Sequence, residues 1–212
     1  MSDDLIDRLT DDLKPVSAKS YPALLGGALI VGAILATSLM VPWIGLRFDL
    51  AAATGTFVFW AKFGYTLALT VLGLWAFARL GRPGGRLRWP LAGVFGVIAL
   101  TGLGGIIQVM TSAPEDVRQL VLGGSALVCP FYIIVLSAPI FAISVMVMRR
   151  LAPTNLPAAG FAAGLLSGAA GSFVYAFHCG ESGLPFVALW YSTGILAVAL
   201  LGAATGRWLM RW

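Results

Sequence analysis

Six apolar runs, each about as long as a bilayer core is thick, most constrain the fold of this chain. Of the 212 residues 59% are hydrophobic and 11% charged, whereas a soluble domain carries about 25% charged residues. The runs leave no room for a separate soluble catalytic domain. We therefore expect an all-α, polytopic membrane protein, a bundle of six transmembrane helices with spans near 21–41, 57–78, 91–110, 126–148, 156–177 and 184–206.

The basic residues predict the orientation of these spans. Two of them, Arg47 and Arg118, fall on one face. Eleven fall on the other: Arg8, Lys14, Lys19, Arg79, Arg82, Arg86, Arg88, Arg149, Arg150, Arg207 and Arg211. Because cytoplasmic loops carry the excess of Lys and Arg, both termini are expected in the cytoplasm. The net charge of +5 is then a topology signal, and no direct nucleic-acid partner is expected.

Lys62 is the one basic residue inside a predicted span. A charge in the membrane marks either an ion pathway or a side chain that snorkels to the interface. Lys62 precedes Arg79 by seventeen residues, about 25 Å of helix, which puts it near the outer boundary and favours snorkelling. No Asp or Glu lies in a predicted span, so the carboxylates of a proton relay are missing and a pump or carrier is disfavoured.

A stripe of small residues follows the fifth run, at Gly160, Gly164, Gly168 and Ser172. Small residues every four positions let another helix approach closely. Packing inside one bundle is the favoured interpretation, and a homodimer through the three glycines is the alternative.

The chain has two cysteines, and helix arithmetic puts both at the outer boundary. Cys129 precedes Arg149 by twenty residues, about 30 Å, and Cys179 follows the start of the fifth run by 23 residues. The loop at 151–155 is short, so spans four and five should be antiparallel neighbours and the thiols should approach each other.

Three interpretations of this pair remain open. With His178 and Glu181 beside Cys179, the two thiols resemble a ligand set for a soft or borderline metal, which is the favoured metal- or redox-responsive interpretation. The thiols could instead form a constitutive disulfide, or be small buried hydrophobes. A catalytic thiol is not expected, because a base adjacent in sequence seldom has the required geometry and no Cys-x-x-Cys pair is present.

Residues 1–20 form a distinct acidic N-terminal segment before the membrane domain at 21–212. Pro15 ends a predicted short amphipathic helix that should bind a protein with a basic or mixed groove. A solvated leader without a partner is the alternative. The apolar stripe and the aspartates around it are Asp3, Asp4, Leu5, Ile6, Asp7, Leu9, Asp11, Asp12 and Leu13.

Three blocks of the chain resemble the NrsF-like integral membrane anti-sigma factors. They are the opening DDLIDRLTDDLKPV, the RRLAPT after the fourth run, and VYAFHCGESGLPFVALWYSTGI leading to GRWLMRW. The resemblance implies six helices in the bacterial inner membrane and a cytoplasmic N-terminal segment, matched by Asp3 to Leu13, that holds an extracytoplasmic-function (ECF) sigma factor inactive. It further implies that Cys129 and Cys179 sense heavy metals or oxidants from outside. The loop after Cys179 departs from the family's usual Pro-Glu-Asp-Ser-Pro type.

The predicted function is therefore an anti-sigma factor in a lipid bilayer, not an enzyme. It has no constitutive cofactor, and a heavy-metal ion would bind only transiently at Cys129 and Cys179. A small-solute or metal transporter with an outward thiol site is the alternative. A structural membrane protein with a permanent disulfide is a third class.

Overall fold

The fold is all helical in the part of the chain that the computed structural model describes, residues 20–82, 84–151 and 153–211. Six of its helical segments are long and apolar enough to cross a bilayer, which confirms the predicted number of such helices. The helices are α1 Ser20–Trp43, α2 Leu50–Ala53, α3 Phe57–Leu80, α4 Arg88–Thr111, α5 Pro114–Leu122, α6 Val128–Arg150, α7 Leu156–Tyr175, α8 Leu184–Phe186 and α9 Ser192–Leu209. One π-helical turn, Val187–Tyr191, joins α8 and α9 into the last long segment.

Side-chain caps fix where two of the long helices begin. Thr56 accepts a hydrogen bond from the N–H of Phe59 at the start of α3, and Asn155 accepts one from Ala158 at the start of α7. Both satisfy backbone donors that the first helical turn leaves free. Pro157 lies in the first turn of α7, where its missing N–H costs nothing.

The core of the bundle is α7, the helix with the small-residue stripe. It packs against α3, α6 and α9. A Cβ on Gly160 would lie 2.1 Å from the carbonyl oxygen of Gly202, and one on Gly164 would lie 2.3 Å from that of Val198. The stripe is therefore covered by α9 of the same chain. This is the favoured packing interpretation, and it leaves no seam at Gly160, Gly164 and Gly168 for a homodimer.

The outer helices α1 and α4 turn large apolar side chains away from the core. Ile30, Leu100 and Met110 are each more than half exposed. A soluble protein rarely shows so continuous an apolar surface, whereas a lipid-facing surface needs one.

The two ends of the bundle differ in character. We call the end with the loops at 44–56, 112–127 and 176–183 the cysteine end, and the opposite end the arginine end. At the arginine end Arg149 donates to the carbonyl of Arg211, and Ala23 and Leu24 of α1 lie beside Arg150. The start of α1 and the residues after α9 therefore both lie at the arginine end, next to the last residues of α6.

Candidate functional site

Both cysteines are buried at the cysteine end. Cys129 lies in the first turn of α6 and is fully buried, and Cys179 follows the end of α7 by four residues and is 3% exposed. Both are free thiols, so the constitutive disulfide of the sequence analysis is not formed. The backbone N–H of Cys129 donates to the carbonyl oxygen of Ser125, and that of Cys179 donates to the carbonyl oxygen of Tyr175.

Two buried tyrosines complete what we call the thiol cluster, namely Cys129, Cys179, Tyr175 and Tyr191. The hydroxyl of Tyr175 interacts with both thiols. The ring of Tyr191 lies 5.7 Å from that of Tyr175, between centroids. The Tyr191 hydroxyl interacts with the Cys179 thiol, but no described group meets it in hydrogen-bond geometry.

His178 and Glu181 are held away from the thiols by other partners. Nδ1 of His178 lies 3.0 Å from the carbonyl oxygen of Gly45, and Oε1 of Glu181 accepts from the N–H of Gly124 and the hydroxyl of Ser125 at 2.8 and 2.9 Å. Across the described residues, no group of three His, Cys, Asp or Glu side chains could hold a metal ion. The structure brings the two sulfur ligands together. His178 and Glu181 instead hold neighbouring loops in place through their own hydrogen bonds.

Each of these two loop contacts depends on a glycine, Gly45 for His178 and Gly123 for Glu181. Gly45 and Gly123 have φ values of 74° and 55°, in the left-handed region that L side chains rarely adopt. A Cβ on Gly123 would also lie 2.4 Å from the carboxyl group of Glu181.

Lys62 does not snorkel to the interface as predicted from its position in the span. Its side chain is 1% exposed, and Nζ donates hydrogen bonds to the carbonyl oxygens of Cys179 at 3.0 Å and Glu181 at 2.7 Å. The helix arithmetic placed it correctly near the cysteine end. It is buried because the loop after α7 folds over it and supplies backbone acceptors.

Arg47 holds the first loop against the same backbone. Its guanidinium binds both carboxylate oxygens of Asp49, at 2.7 and 2.8 Å, and reaches the carbonyl oxygen of Cys179 at 3.4 Å. The hydrogen bond between the two side chains raises the pKa of Arg47 and lowers that of Asp49. A cavity of about 170 Å³ lies here, lined by the polar residues Arg47, Asp49, Lys62, Glu181 and Ser182 and by apolar residues that include Phe59.

The predicted partner-binding residues lie outside the described residues. They are Asp3, Asp4, Leu5, Ile6, Asp7, Leu9, Asp11, Asp12 and Leu13, and their amphipathic helix stays a prediction.

The sequence analysis missed the tyrosines of the thiol cluster. Tyr175 precedes Cys179 by four residues, a spacing that puts two side chains on one helix face and could have been used. Tyr191 has no comparable local signal, because the π-helical turn and the packing of the last segment decide where it points.

Comparison with known proteins places the whole chain in one family. The profile of the family described as "Negative regulator of sigma F" matches residues 9–212. The chain is 40% identical over 215 residues to the "Anti-sigma-F factor NrsF" of Caulobacter vibrioides (strain NA1000 / CB15N), covering 100% of this chain and 99% of that relative. It is 36% identical over 218 residues to the "Probable anti-sigma-F factor NrsF" of Azospira oryzae (strain ATCC BAA-33 / DSM 13638 / PS), again with 100% and 99% covered. No solved structure matches the chain. The resemblance seen in the opening, central and closing sequence blocks is confirmed, and the chain belongs to the NrsF family.

Proposed function

We propose that this chain is an anti-sigma factor of the bacterial inner membrane. It sequesters an ECF sigma factor through its cytoplasmic start and releases it when Cys129 and Cys179 react with a heavy metal or an oxidant on the periplasmic side. The observation that carries the anti-sigma function is the family match over residues 9–212. The names printed for the two full-length relatives agree with it.

The charge distribution supports the proposed orientation. Eleven of the 14 basic residues fall at the arginine end or in the start that leads to it, which makes this end cytoplasmic by the positive-inside rule. Since α1 begins there, residues 1–19 enter from the side on which a sigma factor is found. The thiols at the opposite end then face the periplasm.

Residues 3–13 are the proposed binding segment for the sigma factor. Their apolar stripe would mask a surface that the sigma factor needs for RNA polymerase or promoter DNA, and the aspartates would complement a basic surface around it. A short isolated helix is marginal in water, so the segment is expected to gain its helix on binding.

The helix α7 is the proposed route between the two ends. Tyr175, which interacts with both thiols, is its last residue, and its first turns are in backbone contact with α9 at Gly160 and Gly202. Such close packing leaves little room for independent movement of α7 and α9. Metal–thiolate bonds can supply the several kcal/mol that a change from mostly bound to mostly free requires.

A pull-down from detergent extract tests the anti-sigma half of the proposal. The full chain should recover a sigma factor, and a chain lacking residues 2–14 should not. The double substitution L5A/L9A should weaken recovery at least about tenfold, since each buried Leu contributes about 1.5–3 kcal/mol. The substitution T10A is the matched control, because Thr10 is not part of the predicted stripe. Equal recovery of the sigma factor with the full and the truncated chain contradicts binding through residues 2–14.

A release assay tests the sensing half. Membranes that carry the complex are treated with Cd²⁺, a soft metal, or with a hydroperoxide, and the freed sigma factor is measured. The variants C129S and C179S should bind the sigma factor as the parent does but not release it. Release from the double serine variant would show that the thiols are not the sensor.

A further inference from the structure

A cavity of about 540 Å³ lies on the side of the bundle, where α2, α3 and the end of α7 meet. Its residues on α3 fall between Phe59 and Leu67, in the first three turns of a helix that begins at the cysteine end. At 1.5 Å per residue these turns extend about 15 Å from the start of α3, which is half of a bilayer core of about 30 Å. The cavity therefore lies at the depth of the acyl chains in the leaflet at the cysteine end.

A notch in the outer face of α3 opens this cavity toward lipid. Trp60 and Leu67 line the cavity and are 62% and 52% exposed, so both side chains reach the surface of the bundle. Gly64 lies between them, about one turn from each, and also lines the cavity. A Cβ built on Gly64 meets nothing within 4 Å. The glycine therefore leaves a gap in an otherwise continuous apolar surface.

Aromatic rings form the inner wall of the cavity. The ring of Phe63 lies 5.2 Å from that of Phe173 and 4.7 Å from that of Phe177, between centroids, and both contacts are edge to face. This is a preferred arrangement of aromatic pairs, and Phe63 is 8% exposed. The wall is therefore apolar and preformed, as is typical of sites for hydrocarbon ligands.

The first loop at the cysteine end borders the cavity on the headgroup side. Leu50 and Thr54 line the cavity from this loop. The indole N–H of Trp60 donates to the carbonyl oxygen of Thr54 at 2.8 Å, and the hydroxyl of Thr54 donates to the carbonyl oxygen of Ala51 at 2.7 Å. Because these polar groups already have partners in the protein, water would gain few hydrogen bonds inside the cavity.

We propose that this cavity binds one acyl chain of a phospholipid from the leaflet at the cysteine end. A flexible methylene chain supplies the dispersion contacts that an apolar wall requires, and the bilayer presents such chains at the notch. The headgroup is not selected, because the charged residues of the first loop, Arg47 and Asp49, are paired with each other. Recognition depends on the hydrocarbon tail.

The bound chain packs between two segments that also contact each other directly. Leu50 and Thr54 of the first loop line the cavity together with Phe177, which follows the end of α7. The backbone N–H of Arg47 donates to the carbonyl oxygen of Phe177 at 3.1 Å. An acyl chain adds packing to this contact, so binding of lipid should stabilise the protein. This site is independent of the proposed anti-sigma and sensing functions.

Filling the notch from the protein side tests the lipid site. G64F puts an aromatic ring where the acyl chain would lie, and its Cβ causes no clash. G96F is the matched control, since Gly96 is an exposed glycine of α4 outside the cavity whose Cβ also meets nothing within 4 Å. The full chain is reconstituted in nanodiscs with a phospholipid that carries a diazirine in the middle of one acyl chain. After irradiation, the cross-linked positions are mapped by mass spectrometry.

The expected result is labelling of the cavity wall above that of the general lipid-facing surface. In the parent and in G96F, residues 60–67 and 173–177 should carry at least about tenfold more label than the exposed residues Ile30, Ile34 and Leu35 of α1. In G64F this excess should be lost. Exchanging a zwitterionic headgroup for an anionic one should leave the labelling pattern unchanged.

Three outcomes would overturn the lipid site. Equal labelling of the cavity wall and of α1 in the parent would show annular lipid only. An excess that persists in G64F would show that the chain binds elsewhere, and an excess that depends on the headgroup would show that the tail is not what is recognised.

Thermal unfolding in detergent, with and without added phospholipid, checks that G64F is folded. Phospholipid should raise the Tm of the parent and of G96F but not that of G64F, which should unfold no lower than the lipid-free parent. An equal rise in Tm for all three chains also contradicts the lipid site. If G64F unfolds far below the lipid-free parent, it has lost its fold, and the labelling ratio between the cavity wall and α1 in the parent decides.

Discussion

The carboxylate of Glu181 accepts a hydrogen bond of 2.8 Å from the backbone N–H of Gly124, 57 positions away in the chain. The same oxygen accepts from the hydroxyl of Ser125. One side chain thus ties the loop that follows Cys179 to the loop that precedes Cys129. Cys179 is two residues from Glu181 and Cys129 is four residues from Ser125, so the contact joins the segments next to both thiols.

Removing that carboxylate should loosen the cysteine end. E181A should destabilise the protein by about 1 kcal/mol, because two hydrogen bonds to a charged group are lost while water can reach the exposed N–H of Gly124. E181Q keeps one oxygen and should cost less. Thermal unfolding in detergent measures the stability, and hydrogen exchange should rise at residues 123–127 and 178–183. The control E115Q changes an exposed carboxylate on α5 and should behave as the parent. An unchanged exchange rate in E181A would show that Glu181 does not hold the two loops together.

The sequence indicated the six long helices well because their signal is local. An apolar run of about 20 residues has few alternatives to a spanning helix, whatever its neighbours are. The end of the bundle at which Cys129 and Cys179 lie could be predicted as well, because it follows from the helical rise per residue.

Contacts between distant segments could not be predicted in this way. Helix arithmetic gives the depth of Lys62 along α3 but not the direction in which it points, and the carbonyls that bind it come from residues 117 and 119 positions later. Glu181 looked like a metal ligand because it is near Cys179 in sequence. Its partners Gly124 and Ser125 become neighbours only when the bundle is assembled.

The close approach of α7 and α9 predicts a strong effect of one methyl group. G160A would place a Cβ 2.1 Å from the carbonyl oxygen of Gly202, so the two helices must move apart. We expect a loss of about 2 kcal/mol or more, measured by thermal unfolding in detergent. G102A is the control, since a Cβ on Gly102 of α4 meets nothing within 4 Å. Equal stability of the two variants would mean that the helices are not in backbone contact.

The ion pair between Arg47 and Asp49 predicts a pH dependence of the first loop at the cysteine end. The hydrogen bond from Arg47 lowers the pKa of Asp49 below its ordinary value of 3.8. A lowered pKa in the folded state means that the pair stabilises the loop fully above pH 3.8, and that this contribution is lost as the pH falls through the lower folded value.

Hydrogen exchange of residues 45–56 should therefore speed up only in strong acid. D49N should show the faster exchange already at neutral pH and little further change on acidification. D116N removes an exposed carboxylate of α5 and is the matched control. A D49N chain that kept the acid transition of the parent would show that another group is responsible.

The two tyrosines of the thiol cluster should respond in opposite ways to loss of the hydroxyl. The Tyr191 hydroxyl is buried and meets no partner in hydrogen-bond geometry among the described residues, so Y191F removes a polar group that gains little from its surroundings and should stabilise by about 1 kcal/mol. The Tyr175 hydroxyl interacts with both thiols, so Y175F should destabilise by a similar amount and speed alkylation of the thiols. Thermal unfolding and alkylation with iodoacetamide measure both effects, with the two variants as controls for each other since both rings stay in place. Equal shifts of the same sign would place the two hydroxyls in equivalent surroundings, and Tyr175 would then have no special part in holding Cys129 next to Cys179.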